Sequence, residues 1–200
     1  MSKKDNATEE LIKNTAKQIF FAEGKFGATT QEIADAAGVN RTLVHYYFRS
    51  KDVLLKKILE DGRAEFHKKI EDLLHPEASF KDKMKHLIDV WMEDGLKFPF
   101  LDTYLVSKIG NAEELEELIE GAKKDASKIK EFIAEIEEEM ERGNIAKMNP
   151  YQFILNIVSL VAHPIIMAPL FSRAFNLSES KYRKLIQERK TVILETLFKK

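Results

Sequence analysis

The chain has 200 residues, 44% hydrophobic and 32% charged with few Gly and Pro, the profile of an ordinary globular protein long enough to bury its own core. Its formal net charge of −1 gives no global case for nucleic acid, so any surface meeting a polyanion must come from a local patch. The absence of cysteine excludes disulfides, thiolate zinc sites and a thiol nucleophile.

The opening MSKKDNATEELIK is polar and carries no apolar leader. Ile12, Ala16, Ile19 and Phe20 then fall on one face at helical spacing, predicting a first helix from about Thr8 to Glu23. Thr29 followed by Glu32 matches a capping box, which predicts a second helix over Thr30–Ala37 that stops at Gly38. Asn40 is a good cap for a short third helix, Arg41–Phe48, and Ser50 for a fourth reaching about Leu74 before His75-Pro76. Ser79 opens a helix through Lys97, Pro99 breaks it, and a short segment follows to about Lys108. A charged helix is expected over Ala112–Arg142. An apolar one is expected from Pro150 to about Phe171, behind the Asn149 cap, and a last one over 178–198. The stretch 153–171 is apolar, but Asn156, Ser159, His163, Pro164 and Pro169 argue for a buried or interface helix over a membrane span. The expectation is an all-α fold of about nine helices, cytoplasmic, divided at the start of the fourth helix into residues 1–50 and 51–200.

Residues 29–51 have the spacing of a helix-turn-helix. Ala34 is small where the next helix must approach, Gly38 sits where the chain turns sharply, and Ile33, Ala37, Val39 and Val44 are apolar at inward positions. The second of the two helices would then lie in a major groove. Asn40, Arg41, Thr42, His45 and Tyr46 are its candidate base readers, since Asn and Arg make bidentate contacts with purine edges. Thr30, Tyr47 and Lys51 are placed for the phosphates around it, and Gln31 is a further DNA-binding candidate. Residues 1–51 hold eight basic and six acidic side chains, a local +2, whereas 113–141 hold four basic and twelve acidic, a local −8. The same residue types also build ordinary helical cores, and Phe48 is assigned to one.

The stretch FAEGKFGATTQEIADAAGVNRTLVHYYFRSKDVLLKKIL resembles the N-terminal domain of TetR-family (tetracycline-repressor-like) regulators. Ala28-Thr29-Thr30, Ile33-Ala34, Ala37-Gly38-Val39, Tyr47-Phe48 and Ser50-Lys51-Asp52 coincide, without a gap, over about Thr8 to Leu59. Two departures stand out. Gly24 comes one place earlier than the family's loop glycine, so the loop is expected to turn one residue sooner. Thr42-Leu43-Val44-His45 replaces the common Gly-Thr-Leu-Tyr, so no operator sequence carries over. The resemblance implies a homodimer on a palindromic operator in double-stranded DNA, an all-α ligand-binding body, and repression relieved by a small molecule.

In the body, an apolar cavity with a few polar groups is what a small hydrophobic or amphipathic ligand requires, and Met84, Trp91, Tyr104, His163 and Met167 are candidate walls. Each is equally at home in plain core. The last two helices carry more apolar surface than a lone protomer leaves in water, so Phe153, Ile157, Leu160, Leu185, Val192 and Leu197 are candidate dimer contacts. The family resemblance implies a four-helix bundle there. The acidic segment 113–141 reads as a solvated face, so no metal and no cofactor are expected. No nucleophile triad or phosphate loop is evident, and Glu71 with His75 has no second copy, so catalysis is not expected. A DNA-binding regulator controlled by a protein partner, without a metabolite, remains the alternative; an all-α enzyme is the remote one.

Overall fold

A computed structural model describes residues 3–73, 78–123 and 126–198. Among them are eleven α-helices and no strand: α1 (Lys3–Lys17, running on into a π-helical turn Gln18–Ala22), α2 (Thr30–Ala37), α3 (Arg41–Phe48), α4 (Lys51–Leu73), α5 (Phe80–Lys97), α6 (Leu101–Lys108), α7 (Ala112–Lys123), α8 (Ala126–Glu141), α9 (Pro150–Ile166), α10 (Ala168–Ala174) and α11 (Glu179–Phe198). The all-α expectation holds, with eleven helices in place of about nine. The expected helix over Ala112–Arg142 is described as α7 and α8, with 124–125 outside the described residues. The His75-Pro76 stop and the Glu71/His75 pair also fall on residues outside the description, His75 and Pro76 entirely and Glu71 in its side chain.

The other extra helix has a clear physical cause. The apolar helix expected to reach Phe171 ends at Ile166 and resumes as α10 after a bend of 68°. Pro164 lacks an N–H, so the Leu160 carbonyl four residues earlier loses its helical donor, and the end of α9 at Ile166 leaves the Pro164 carbonyl without one. α11 supplies replacements. Arg189 Nε donates to the Leu160 carbonyl at 2.8 Å, and Tyr182 Oη donates to the Pro164 carbonyl at 2.8 Å. The bend is thus held by two side chains of α11. Among the described residues no single helix is long and apolar enough to cross a membrane.

Two apolar clusters organise the chain. The first joins Ile12, Ala16 and Phe20 of α1 to Ile33 and Ala34 of α2, Val44 and Phe48 of α3, and Leu54, Leu55 and Ile58 of α4. The second joins Met84, Ile88 and Met92 of α5 to Ile136 and Met140 of α8, Phe153, Ile157 and Val161 of α9, and Ile186, Ile193 and Leu197 of α11. The corner between α5 and α6 connects them. Phe98 is buried in the first cluster, and the Phe100 N–H donates to the Phe21 carbonyl at 3.0 Å. That carbonyl is free because the π-helical turn and Gly24, at φ +71°, lead the chain out of the helix. Gly24 turns the loop at the earlier position, as its place in the sequence predicts. A Cβ there would stand 3.0 Å from the Phe100 ring, so this glycine serves both the left-handed backbone and the close approach.

Candidate nucleic-acid interface

Each helix of the candidate reading unit starts and stops on a local signal. Thr29 caps α2: its hydroxyl accepts the Glu32 N–H at 3.2 Å, and the Glu32 carboxylate accepts the Thr29 N–H at 2.7 Å. Those hydrogen bonds from Thr29, backbone first, hold the Glu32 carboxyl below its ordinary range. At the other end Gly38 adopts φ +65°, and the N–H of Val39 returns to the Ala34 carbonyl at 3.0 Å, closing the turn. Ala34 is fully buried, which lets α3 cross closely over α2. Asn40 then caps α3, its Oδ1 accepting the Thr42 N–H at 2.8 Å.

α3 is two-faced. Val44 and Phe48 are 1% and 2% exposed and turn into the first cluster. On the opposite side Thr42, Leu43, His45 and Tyr46 are exposed, Tyr46 at 73%. Arg41 sits on the flank toward α2, where its Nε donates to Thr30 Oγ1 at 3.3 Å. Gln31 is exposed and donates to Asp35 at 2.7 Å, one turn along α2. Tyr47 is half-buried on the flank toward α1. Its ring meets Tyr46 edge-on at 5.1 Å, and its phenol hydrogen-bonds Thr8. Lys51 is half-buried and donates to the Phe26 carbonyl at 3.3 Å. The nine sequence candidates therefore lie on α2, α3 and the start of α4, with Thr42, His45 and Tyr46 facing outward and Thr30, Tyr47 and Lys51 forming the flanks.

Two exposed residues, one on this face and one at its edge, escape a motif-based reading. Leu43 is 38% exposed, an apolar side chain among polar candidates. Arg49 ends α3 at φ +59°, ψ −42°, while Ser50 N–H returns to the Phe48 carbonyl. A non-glycine residue in that region is strained. The strain leaves an exposed guanidinium next to Lys51, and its only sequence signal is an arginine between a helix end and a cap.

The body candidates do not converge on one cavity. Met84 and Trp91 pack in the second cluster, whereas Tyr104 packs against the first, its ring 5.5 Å from Phe21 and 5.4 Å from Phe26. Pro99 turns the chain between α5 and α6, so the spacing that relates Trp91 to Tyr104 is broken. His163 is exposed, and Met167 forms the joint of α9 and α10. Of the dimer candidates, Phe153, Ile157 and Leu197 are buried in the protomer's own core, and Leu160 is half-buried, so the first three offer nothing to a second copy. Leu185 and Val192 do face outward, beside Phe175, on a groove of about 410 Å³ floored by Pro164, Tyr182 and Ile186. Leu155 and Leu170 extend the exposed apolar surface of α9 and α10.

Comparison with known proteins matches the same region. Residues 12–58 fit the sequence pattern described as "Bacterial regulatory proteins, tetR family". An HTH-type transcriptional regulator from the dhlA 5′ region of Xanthobacter autotrophicus is 40% identical over 52 residues, 26% of this chain and 26% of its own length. The chain thus matches only about a quarter of that curated relative. Over nearly the whole length the fold resembles a TetR-family transcriptional regulator from Rhodococcus sp. (TM-score 0.65, 16% identity, 94% of this chain and 99% of that one). It also resembles the ketosteroid transcriptional regulator KstR2 of Mycobacterium tuberculosis (TM-score 0.66, 14% identity, 100% and 97%). The capped, glycine-turned α2–α3 pair carries the match to the TetR-family pattern, and the remaining helices share the fold of TetR-family regulators.

Proposed function

We propose that the protein is a transcriptional regulator that binds a palindromic operator in double-stranded DNA as a homodimer and leaves it when a small hydrophobic or amphipathic molecule enters the body. The observation that carries this reading is the outward face of α3, where Thr42, His45 and Tyr46 stand clear of the protein on a helix fixed by its own cap and by buried Val44 and Phe48. Such a helix fits a major groove, and two symmetric copies fit two half-sites one helical turn apart. Arg41, Arg49 and Lys51 supply cations around it for phosphates.

In this reading residues 1–50 read DNA and residues 51–200 sense and pair. The exposed apolar face of α9, α10 and α11, with Leu170, Phe175, Leu185 and Val192, is the surface where two copies meet. Ligand binding in the body moves α4, which runs directly from the reading unit, and changes the distance between the two copies of α3. Sedimentation of the full chain is expected to give a dimer that Leu185→Glu with Val192→Glu splits. Selection from random duplex DNA is expected to enrich an inverted repeat, and enrichment of no sequence would overturn the reading.

A further inference from the structure

The centre of the reading face is apolar and aromatic, and the charges stand at its margins. Leu43 and Tyr46 lie three residues apart, on the side of α3 away from Val44 and Phe48. Guanine is read most often by the fork of an arginine or by a lysine. No such cation is among the exposed central residues Thr42, Leu43, His45 and Tyr46. The neighbouring purine readers are partly committed: Arg41 Nε is tied to Thr30, and the Asn40 carboxamide oxygen to the Thr42 N–H. An isobutyl group on this face has one base-edge partner in unmodified DNA, the 5-methyl of thymine.

We infer that Leu43 is a specificity-determining residue that packs on a thymine methyl in each half-site, so that the operator carries an A·T pair at that position. This rests on the DNA-binding reading proposed above. The contact removes a methyl group and part of an isobutyl side chain from water, and both surfaces are exposed in the free partners. It contributes discrimination and no register, which the flanking phosphate contacts supply.

The experiment uses the full chain and the duplex it selects. Each thymine of the half-site is replaced in turn by deoxyuridine, which deletes only the 5-methyl, and affinities are measured for the native chain and for Leu43→Ala. One thymine per half-site is expected to lose about fourfold in affinity to the native chain on losing its methyl. Leu43→Ala is expected to show no loss at that position and unchanged sensitivity elsewhere. Because Leu43 is exposed, its unfolding midpoint is expected to match the native one. A selected half-site with no thymine whose methyl effect disappears in Leu43→Ala overturns this inference and leaves the DNA-binding reading intact. Selection that enriches no sequence overturns both.

Discussion

The two apolar clusters use similar side chains but end their helices in different ways. Around the first, α2 and α3 are short and start at side-chain caps from Thr29 and Asn40, and α2 stops at a left-handed glycine. In the second, α9 ends at an internal bend, and its freed carbonyls are met by Tyr182 and Arg189 from α11. Local signals also start α5 and α9 at Ser79 and Asn149 and stop α8 at left-handed Gly143, but the second region adds, at its bend, contacts from far along the chain. A reading helix needs an orientation that survives whatever the body does, and local caps provide that. In the proposed function the body also senses a ligand, which needs elements whose relative placement can change, and long-range side-chain clasps allow it.

Removing core volume is expected to break the comparison most strongly. Phe20 is fully buried in the first cluster and Ile88 in the second, and Phe20→Ala and Ile88→Ala should each cost about 3–5 kcal/mol in denaturant unfolding. Because α4 and the α5–α6 corner join the clusters, both variants are expected to keep one transition seen alike by circular dichroism and by Trp91 fluorescence. Separate transitions would show two independent units. Next in size is the clasp on the bend. Arg189→Met strips the donor from the half-buried contact to Leu160 and should cost about 1–3 kcal/mol, with exchange of α9 and α10 amides accelerated and α2 unaffected.

The local signals should give smaller and more confined effects. Thr29→Ala removes one half of the capping box and is expected to cost about 1 kcal/mol, with fraying limited to α2. Arg49→Gly should raise stability by about 0.5–1 kcal/mol by relieving a backbone that disfavours a side chain. The same variant should bind DNA more weakly and lower the salt slope by about 1. A destabilised Arg49→Gly would show that the strain is absent.

The smallest test concerns the ion pair between α1 and α4. Burial alone would lower the Lys13 ammonium and raise the Asp61 carboxyl. Their mutual hydrogen bond, with help from Glu10 and Lys57, outweighs it and moves both the other way. Asp61, depressed, contributes stability above the ordinary carboxylate pKa of about 3.9 and loses it as pH falls through its lower folded value. Lys13, raised, contributes below about 10.4 and loses it as pH rises through its higher folded value. The pair's contribution should therefore be flat across neutrality, and Asp61→Asn should remove part of the acid-side fall in melting temperature.

The α2–α3 geometry was readable because each determinant acts within a turn or two: Thr29 on Glu32, Gly38 on Val39, Asn40 on Thr42. The orientation of the body helices was not. Whether Phe153 faces its own core or a second copy depends on where α5 and α11 lie, and nothing within α9 decides it. Tyr104 was misdirected for the same reason, since the Pro99 corner rotates α6 until that ring meets Phe21 and Phe26. The 68° bend was signalled by two prolines, but its support by Tyr182 and Arg189 is a tertiary match visible only once α11 is placed.

The hydrogen bond from Phe100 to Phe21, with Phe98 set into the first cluster, bears on how such proteins can be recombined. A hybrid that grafts residues 1–50 onto a foreign body would import Phe20 and Phe48 without the Leu54, Leu55, Ile58 and Phe98 that cover them. It would also leave the Phe21 carbonyl without its donor. The portable unit is discontinuous: it includes the first half of α4 and the α5–α6 corner, and a graft that respects both seams is the one expected to stay folded and keep its operator.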